Sequence, residues 1–197
     1  GELAGYDQGG QWVIAKSRDV LATSLFEGAI PFAFGACIPG IRILLMIDNE
    51  VKFKDVIQPM MHGFYDNLDE NEMGALKPEI VHWDSDIIEF KHAGLGLTAN
   101  SYIKFTSSKS VNAVRSYKPK YFAYSEAPFG DRATEPARYE AVDNSIGPTG
   151  WAVFESTANG PLGAFPKRYK AFREGKTLGK AIFVPYYADP LKRIAPD

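Results

Sequence analysis

Tyr-Phe-Ala-Tyr-Ser-Glu (Tyr121 to Glu126) and Trp-Ala-Val-Phe-Glu-Ser-Thr-Ala-Asn-Gly (Trp151 to Gly160) decide how this chain is read. Each is an apolar run that reads as a buried strand, and each ends in polar side chains. In an open α/β sheet the carboxyl ends of the strands form the edge at which ligands bind. Both segments therefore deliver hydroxyls, carboxylates and an amide to a functional edge. A third strand, Gln11 to Ala15, runs into the polar stretch Lys16 to Ser24 and then into an apolar helix, the order in which a phosphate-binding loop is built.

Working outward from these strands, Thr23 to Phe34 reads as a helix apolar nearly all round, and Pro39-Gly40 marks the turn before a strand at Ile41 to Ile47, completing a βαβ unit. Val51 to Asn67 carries Val51, Val56, Ile57, Met60, Met61 and Phe64 at helical spacing, and Asp69 to Pro78 is a polar connection. The short runs Ile87 to Lys91 and Ser101 to Thr106, separated by Ala93 to Gly96, predict an antiparallel or edge-strand excursion. Thr134 to Asn144 is the expected crossover helix, with Thr134 or Asp131 near its start. Phe165 to Phe172 is again helical, and Lys180 to Pro185 is a last strand. The alternation predicts an α/β fold, a mostly parallel, doubly wound sheet with helices on both faces, within one domain spanning 1–197.

Composition excludes several classes. Hydrophobic residues make up 45% and charged residues 23%, ordinary globular values that indicate neither a disordered nor a fibrous chain. The net charge of −2 is not that of a domain gripping nucleic acid over its whole surface, so a DNA contact would be a local patch. The basic run Lys167, Arg168, Lys170, Arg173 and Lys176 is the candidate for that patch, with a solvated helix face as the other reading. Cys37 is the single cysteine, so no intrachain disulfide can form, and its apolar neighbours favour a buried thiol. The longest apolar stretch, Ala29 to Ile47, is broken by Pro31, Pro39, Gly40 and Arg42, which argues against a membrane span. His62, His82 and His92 lack metal-ligand spacing, and Trp12, Trp83 and Trp151 read as core or domain-edge residues.

A phosphate loop needs converging backbone N–H groups, a cation for the outer phosphates and a hydroxyl for magnesium. The stretch from Lys16 and Ser17 to Ser24 offers all three: Lys16 or Arg18 as the cation, and Thr23 or Ser24 as the hydroxyl. The usual Gly-Lys before that hydroxyl is replaced by Leu21-Ala22, so a helix N-terminus flanked by solvated charges is the competing reading. Tyr121 to Glu126 has the form of a Walker B strand with Ser125 where an aspartate is expected. Ser125 could reach a metal ion only through water, leaving Thr23 as the direct protein ligand. Ile43 to Asp48, also an apolar strand ending in aspartate, ranks second for this role.

Ser156-Thr157-Ala158-Asn159-Gly160, following an apolar strand, resembles the coupling motif of the large terminase subunits of tailed phages. The likeness continues in family order through Ser101 to Phe105, Arg115, Lys118-Pro119-Lys120, Ile182 to Tyr187 and Asp189-Pro190, covering about Gln11 to Arg193. It implies a P-loop NTPase of the ASCE type that hydrolyses ATP with Mg²⁺ to drive double-stranded DNA into a procapsid. Carried over by position, Lys16 and Arg18 would contact phosphates, and Thr23 would hold magnesium. Glu126 would act on the hydrolytic water, Ser156, Thr157 and Asn159 would couple, and Arg115 would be an arginine finger given to a neighbouring subunit. A surface salt bridge is the other reading of Arg115.

The resemblance further implies a homo-oligomeric ring on the portal protein, a small terminase subunit as partner, the cytoplasm of an infected or lysogenic bacterial host, and a C-terminal nuclease domain absent from this stretch. Two alternatives stand beside it. One is a degenerate nucleotide-binding or assembly module, and the other is a P-loop translocase of the helicase kind. Gln8 and Gln11 are both available for adenine recognition, and neither is assigned.

Overall fold

The structure is a computed structural model that describes residues 9–18, 21–47, 50–68, 77–92, 99–129 and 132–188. Eight strands form one sheet: β1 (Gly10–Lys16), β2 (Arg42–Ile47), β3 (Glu79–Trp83), β4 (Ile87–Lys91), β5 (Ser101–Ser107), β6 (Tyr121–Ser125), β7 (Trp151–Thr157) and β8 (Lys180–Val184). Their order across the sheet is β3-β4-β5-β2-β6-β7-β1-β8. Every pairing from β5 to β8 is parallel, whereas β4 runs antiparallel to both β3 and β5. The expected mostly parallel α/β sheet is thus present, and the short runs after Ile80 form its antiparallel excursion.

Side-chain alternation with a period of two explains why both faces of the central strands are covered. Ile43, Leu45, Tyr121, Ala123, Val153 and Ile14 point to one face, where they pack with Phe32, Ala36, Phe53, Ile57 and Met61 from the helices Ile30–Cys37 and Gln58–Asp66 and the turns before them. Leu44, Met46, Phe122, Tyr124, Ala152, Phe154 and Val13 point to the other face. There they meet Val114, Tyr139, Val142, Phe165 and Phe172 from helices Val111–Tyr117, Glu135–Ser145 and Ala164–Arg173. Glu135 ties two of these helices together, because its carboxylate accepts the free backbone N–H groups of Ala164 (2.9 Å) and Phe165 (3.0 Å) at the start of the last helix.

Cys37 is exposed, not buried as its apolar neighbours suggested. Successive helical residues lie about 100° apart, so with Ala36 turned to the sheet the thiol at the helix end rotates to solvent. Among the described residues no helix is long and apolar enough to cross a membrane. The second-ranked acid Asp48, together with Gln8, Asp131, Asp189 and Pro190, lies outside the described residues, as do Ala93 to Gly96 and most of the connection from Asp69 to Pro78.

The three histidines take up structural contacts. His92 Nε2 lies 2.9 Å from the Ser101 hydroxyl, which in turn donates to the Ile38 carbonyl at 2.6 Å. His62 stacks on Trp83 with ring centroids 3.8 Å apart, and His82 lies 3.6 Å from Asp84. Arg168 leaves the basic patch for a structural role: it pairs with Asp143 and lies over the rings of Phe154, Tyr139 and Phe172. Gln11, a candidate for adenine, is held by the same Asp143 at 3.1 Å.

Candidate active site

The pleat decides which side chains meet at the carboxyl ends of β1, β6 and β7. Lys16 shares parity with Ile14, Ser125 with Tyr121 and Ala123, and Glu155 with Val153, so all three project from the face covered by the helix that follows the loop. Ser125 and Glu155 are direct neighbours in the β6–β7 register, and Ile14 stands opposite Glu155 on β1, two residues before Lys16. Glu155, Ser125 and Ser156 are fully buried.

Lys16 lies at the centre. Its ammonium is 3.0 Å from Glu155 Oε2 and 3.6 Å from Glu126 Oε1, and it donates to Thr23 Oγ1 at 3.3 Å. Thr23 Oγ1 donates to Glu155 Oε1 (3.2 Å), and Ser125 Oγ donates to that same oxygen (3.0 Å). From the helix side, Lys52 donates to Ser125 Oγ at 2.7 Å and lies 3.9 Å from Glu27 Oε2. Burial pulls the Lys16 pKa down, but the carboxylates of Glu155, Glu126 and Glu27 outweigh it and the net shift is upward, so Lys16 is charged.

Glu126 follows β6 with φ of 51°, a left-handed conformation that costs a side-chain-bearing residue energy and recurs at functional sites. The twist turns its carboxylate back over the sheet edge. Ser156 donates to Glu126 Oε2 at 2.9 Å and Thr157 does so at 3.5 Å, while Asn159 donates to the Pro128 carbonyl at 3.2 Å. The end of β7 and the segment after it are thus joined to the segment after β6 through Ser156, Thr157 and Asn159.

Leu21, standing where glycine is usual, has φ of 56°, the conformation glycine would take without penalty. Ala22 is buried, and Lys16 opens the loop as the last residue of β1. Arg18 is exposed. The Ser17 N–H is bonded to the Val184 carbonyl at 2.9 Å, tying the loop to β8. Ser24 opens a π-helical turn, Ser24–Ala29, that leads into helix Ile30–Cys37. Arg115 stands further off. It is exposed in the last turn of helix Val111–Tyr117, just before the amino end of β6, and so lies away from the cluster at the carboxyl ends.

Three members of the cluster were not singled out from sequence: Glu155, Glu27 and Lys52. Pleat parity puts Glu155 on the face of Val153, two residues earlier, but that this is also the face of Ser125 follows only from the β6–β7 register. Glu27 and Lys52 carried no such signal, since a charged residue near a helix start reads as solvated. Glu27 is instead fully buried in the π-helical turn. Burial, with the neighbouring Glu155 charge, raises its pKa well above the usual carboxylate range, against the opposing pull of Lys52. Above the normal glutamate range the unfolded chain releases this proton while the folded chain keeps it. The folded state is therefore progressively disfavoured until the folded carboxyl ionises too. Glu27→Gln, measured by thermal melts in metal-free buffer, is expected to melt higher than the unchanged chain at pH 8, with the gap closing as the pH falls towards 4.5. A gap independent of pH would show that Glu27 titrates normally.

No family model and no curated protein matches the chain in sequence. Solved structures do match its fold. An arginine-to-alanine mutant of the large terminase ATPase domain of Thermus phage P74-26 is 14% identical over 89% of this chain and 75% of that one, with a TM-score of 0.61. A second structure of that domain gives 0.57, again at 14% identity over 89% of this chain and 74% of the other. The large terminase of another thermophilic bacteriophage, in complex with ADP, is 11% identical over 95% of this chain and 42% of its own, with a TM-score of 0.61.

The fold is that of a phage large-terminase ATPase domain. Within the terminase fold, the Lys16–Glu126–Glu155 cluster occupies the strand edge at which open α/β sheets take ligands.

Proposed function

We propose that this chain is the ATP-hydrolysing domain of a large terminase, a motor that drives double-stranded DNA into a procapsid. The observation that carries the reading is the convergence of Lys16, Thr23 and Glu126 at one strand edge of a terminase fold, with Ser156 and Thr157 bonded to Glu126. In the mechanism, Lys16 and Arg18 bind the phosphates and balance their charge. The Glu126 carboxylate orients a water and accepts its proton as the water oxygen bonds to the γ-phosphorus and the bond to the β,γ-bridging oxygen breaks. Ser156 and Thr157 hold Glu126 in place. Because Asn159 bonds to the segment after β6, a shift of Glu126 on phosphate release is passed to the chain beyond β7.

Magnesium fits the oxygen donors present: Thr23 would hold it directly and Ser125 through water. When bound, it would neutralise developing phosphate charge. Arg115, exposed and outside the cluster, suits a finger lent to the next subunit of a ring, where it would stabilise phosphoryl charge. The same reading gives the portal protein and small terminase subunit as partners, the bacterial host cytoplasm as the site of action, and 1–197 as one ATPase domain.

Steady-state ATP hydrolysis, measured with Mg²⁺ and with or without double-stranded DNA, tests the proposal. Metal-dependent turnover that rises with duplex DNA is expected. Tight ATP binding with no turnover in either condition, even on assembled portal, would favour a degenerate module, and unwinding of a forked duplex would favour a helicase.

A further inference from the structure

Glu155 is the feature of the site that the proposed reading leaves without a task. Its carboxylate is fully buried, and its contacts are with the groups that the reading assigns to other work: Lys16 for phosphate, and Thr23 and Ser125 for the metal. Ser125 brings no charge to the strand end where a metal-holding aspartate is expected, yet directly beside it in register stands a carboxylate on the same face of the sheet. The Glu155 Oε1 atom already accepts hydrogen bonds from both hydroxyls, 3.2 Å from Thr23 Oγ1 and 3.0 Å from Ser125 Oγ.

We infer that Glu155 supplies from β7 the metal-holding carboxylate that β6 lacks, so that a divalent cation bound with the nucleotide is held between Thr23 and Glu155. The inference rests on the ATPase reading. Its physical core is charge balance in a buried place. The Lys16 ammonium, 3.0 Å away, neutralises Glu155. Binding a phosphate draws Lys16 off, and a fully buried carboxylate then keeps two hydroxyl donors but no cationic partner, which is costly unless another cation replaces it.

Lys52 does not take that place, because it is already committed to Ser125 Oγ and to Glu27. Glu27, fully buried and 3.9 Å from Lys52, holds that lysine on its own side of the cluster. Among the described residues no group of three or more His, Cys, Asp or Glu side chains is arranged as a metal cage. Magnesium is usually held by one or two carboxylates together with substrate phosphates and water, and Glu155 would be one such carboxylate.

The test is calorimetric binding of the non-hydrolysable analogue AMP-PNP, in Mg²⁺ and in EDTA, to the whole chain, Glu155→Gln and the exchange Ser125→Asp/Glu155→Ser. Mn²⁺ binding to the same proteins, followed by electron paramagnetic resonance, is the second readout. The unchanged chain is expected to bind the analogue more tightly with metal. Glu155→Gln should lose at least the roughly 10–100-fold in metal affinity that removing even an outer-shell partner costs, and the exchange, which moves the carboxylate back to β6, should recover the metal effect. The exchange carries the test alone if Glu155→Gln fails to fold.

Metal dependence retained in Glu155→Gln overturns the inference, as does an exchange variant that folds but gains nothing from metal. A chain that binds the analogue equally well in both buffers also overturns it while leaving nucleotide binding intact. No binding in either buffer sinks the ATPase reading, and this inference with it.

Discussion

Glu126→Gln is expected to lower ATP turnover by about 10²–10⁴-fold, the usual contribution of a positioned general base, while nucleotide affinity is kept. The substitution preserves the shape and acceptor capacity of the side chain, so the hydrogen bonds from Ser156 and Thr157 at 2.9 and 3.5 Å can persist. It removes the basicity that takes the proton from water. The partial exposure of this carboxylate, 27%, matches such a role, since a water must reach it from the open edge. Its left-handed backbone says the same: a residue held at φ of 51° is kept there by its surroundings. Turnover by Glu126→Gln equal to that of the unchanged chain, measured at saturating ATP, would remove Glu126 from the chemistry.

The second large effect concerns stability. Lys16→Met removes the ammonium from between Glu155 and Glu126, leaving a fully buried carboxylate uncompensated. Breaking a buried pair from one side costs about 3–5 kcal/mol. At about 2–4 °C per kcal/mol for a chain of this size, the expected fall in melting temperature is about 6–20 °C. The double variant Lys16→Met/Glu155→Gln should recover most of that loss, because no charge is then stranded and the glutamine oxygen still accepts from Thr23 and Ser125. Neither variant should bind ATP with the affinity of the unchanged chain. Thermal melts together with nucleotide titrations separate the two roles of Lys16. Equal melting of the single variant and the unchanged chain would show that Glu155 does not depend on it.

Much of the fold was legible because apolar runs ending in polar side chains identify parallel strands directly. Tyr121 to Tyr124 and Trp151 to Phe154 are buried on both faces, so they read as continuous apolar runs and not as alternation. The same property hid part of the site. In a strand buried on both sides, Glu155 looks like one polar residue at the head of a polar tail, and only its register with Ser125 shows which way it faces. Glu27 and Lys52 reach the cluster from segments packed over the sheet, a tertiary arrangement that neither periodicity nor capping signals report. Cys37 shows the reverse: its apolar neighbours along the chain are not its neighbours in space, and the thiol is exposed.

A structure of the chain bound to Mg²⁺ and AMP-PNP tests the central claim most directly. The account predicts the triphosphate at the carboxyl ends of β1, β6 and β7, with Lys16 Nζ moved from Glu155 to a phosphate oxygen and Glu126 facing the γ-phosphate across a water. A nucleotide bound elsewhere, with Lys16 still paired to Glu155, would contradict it.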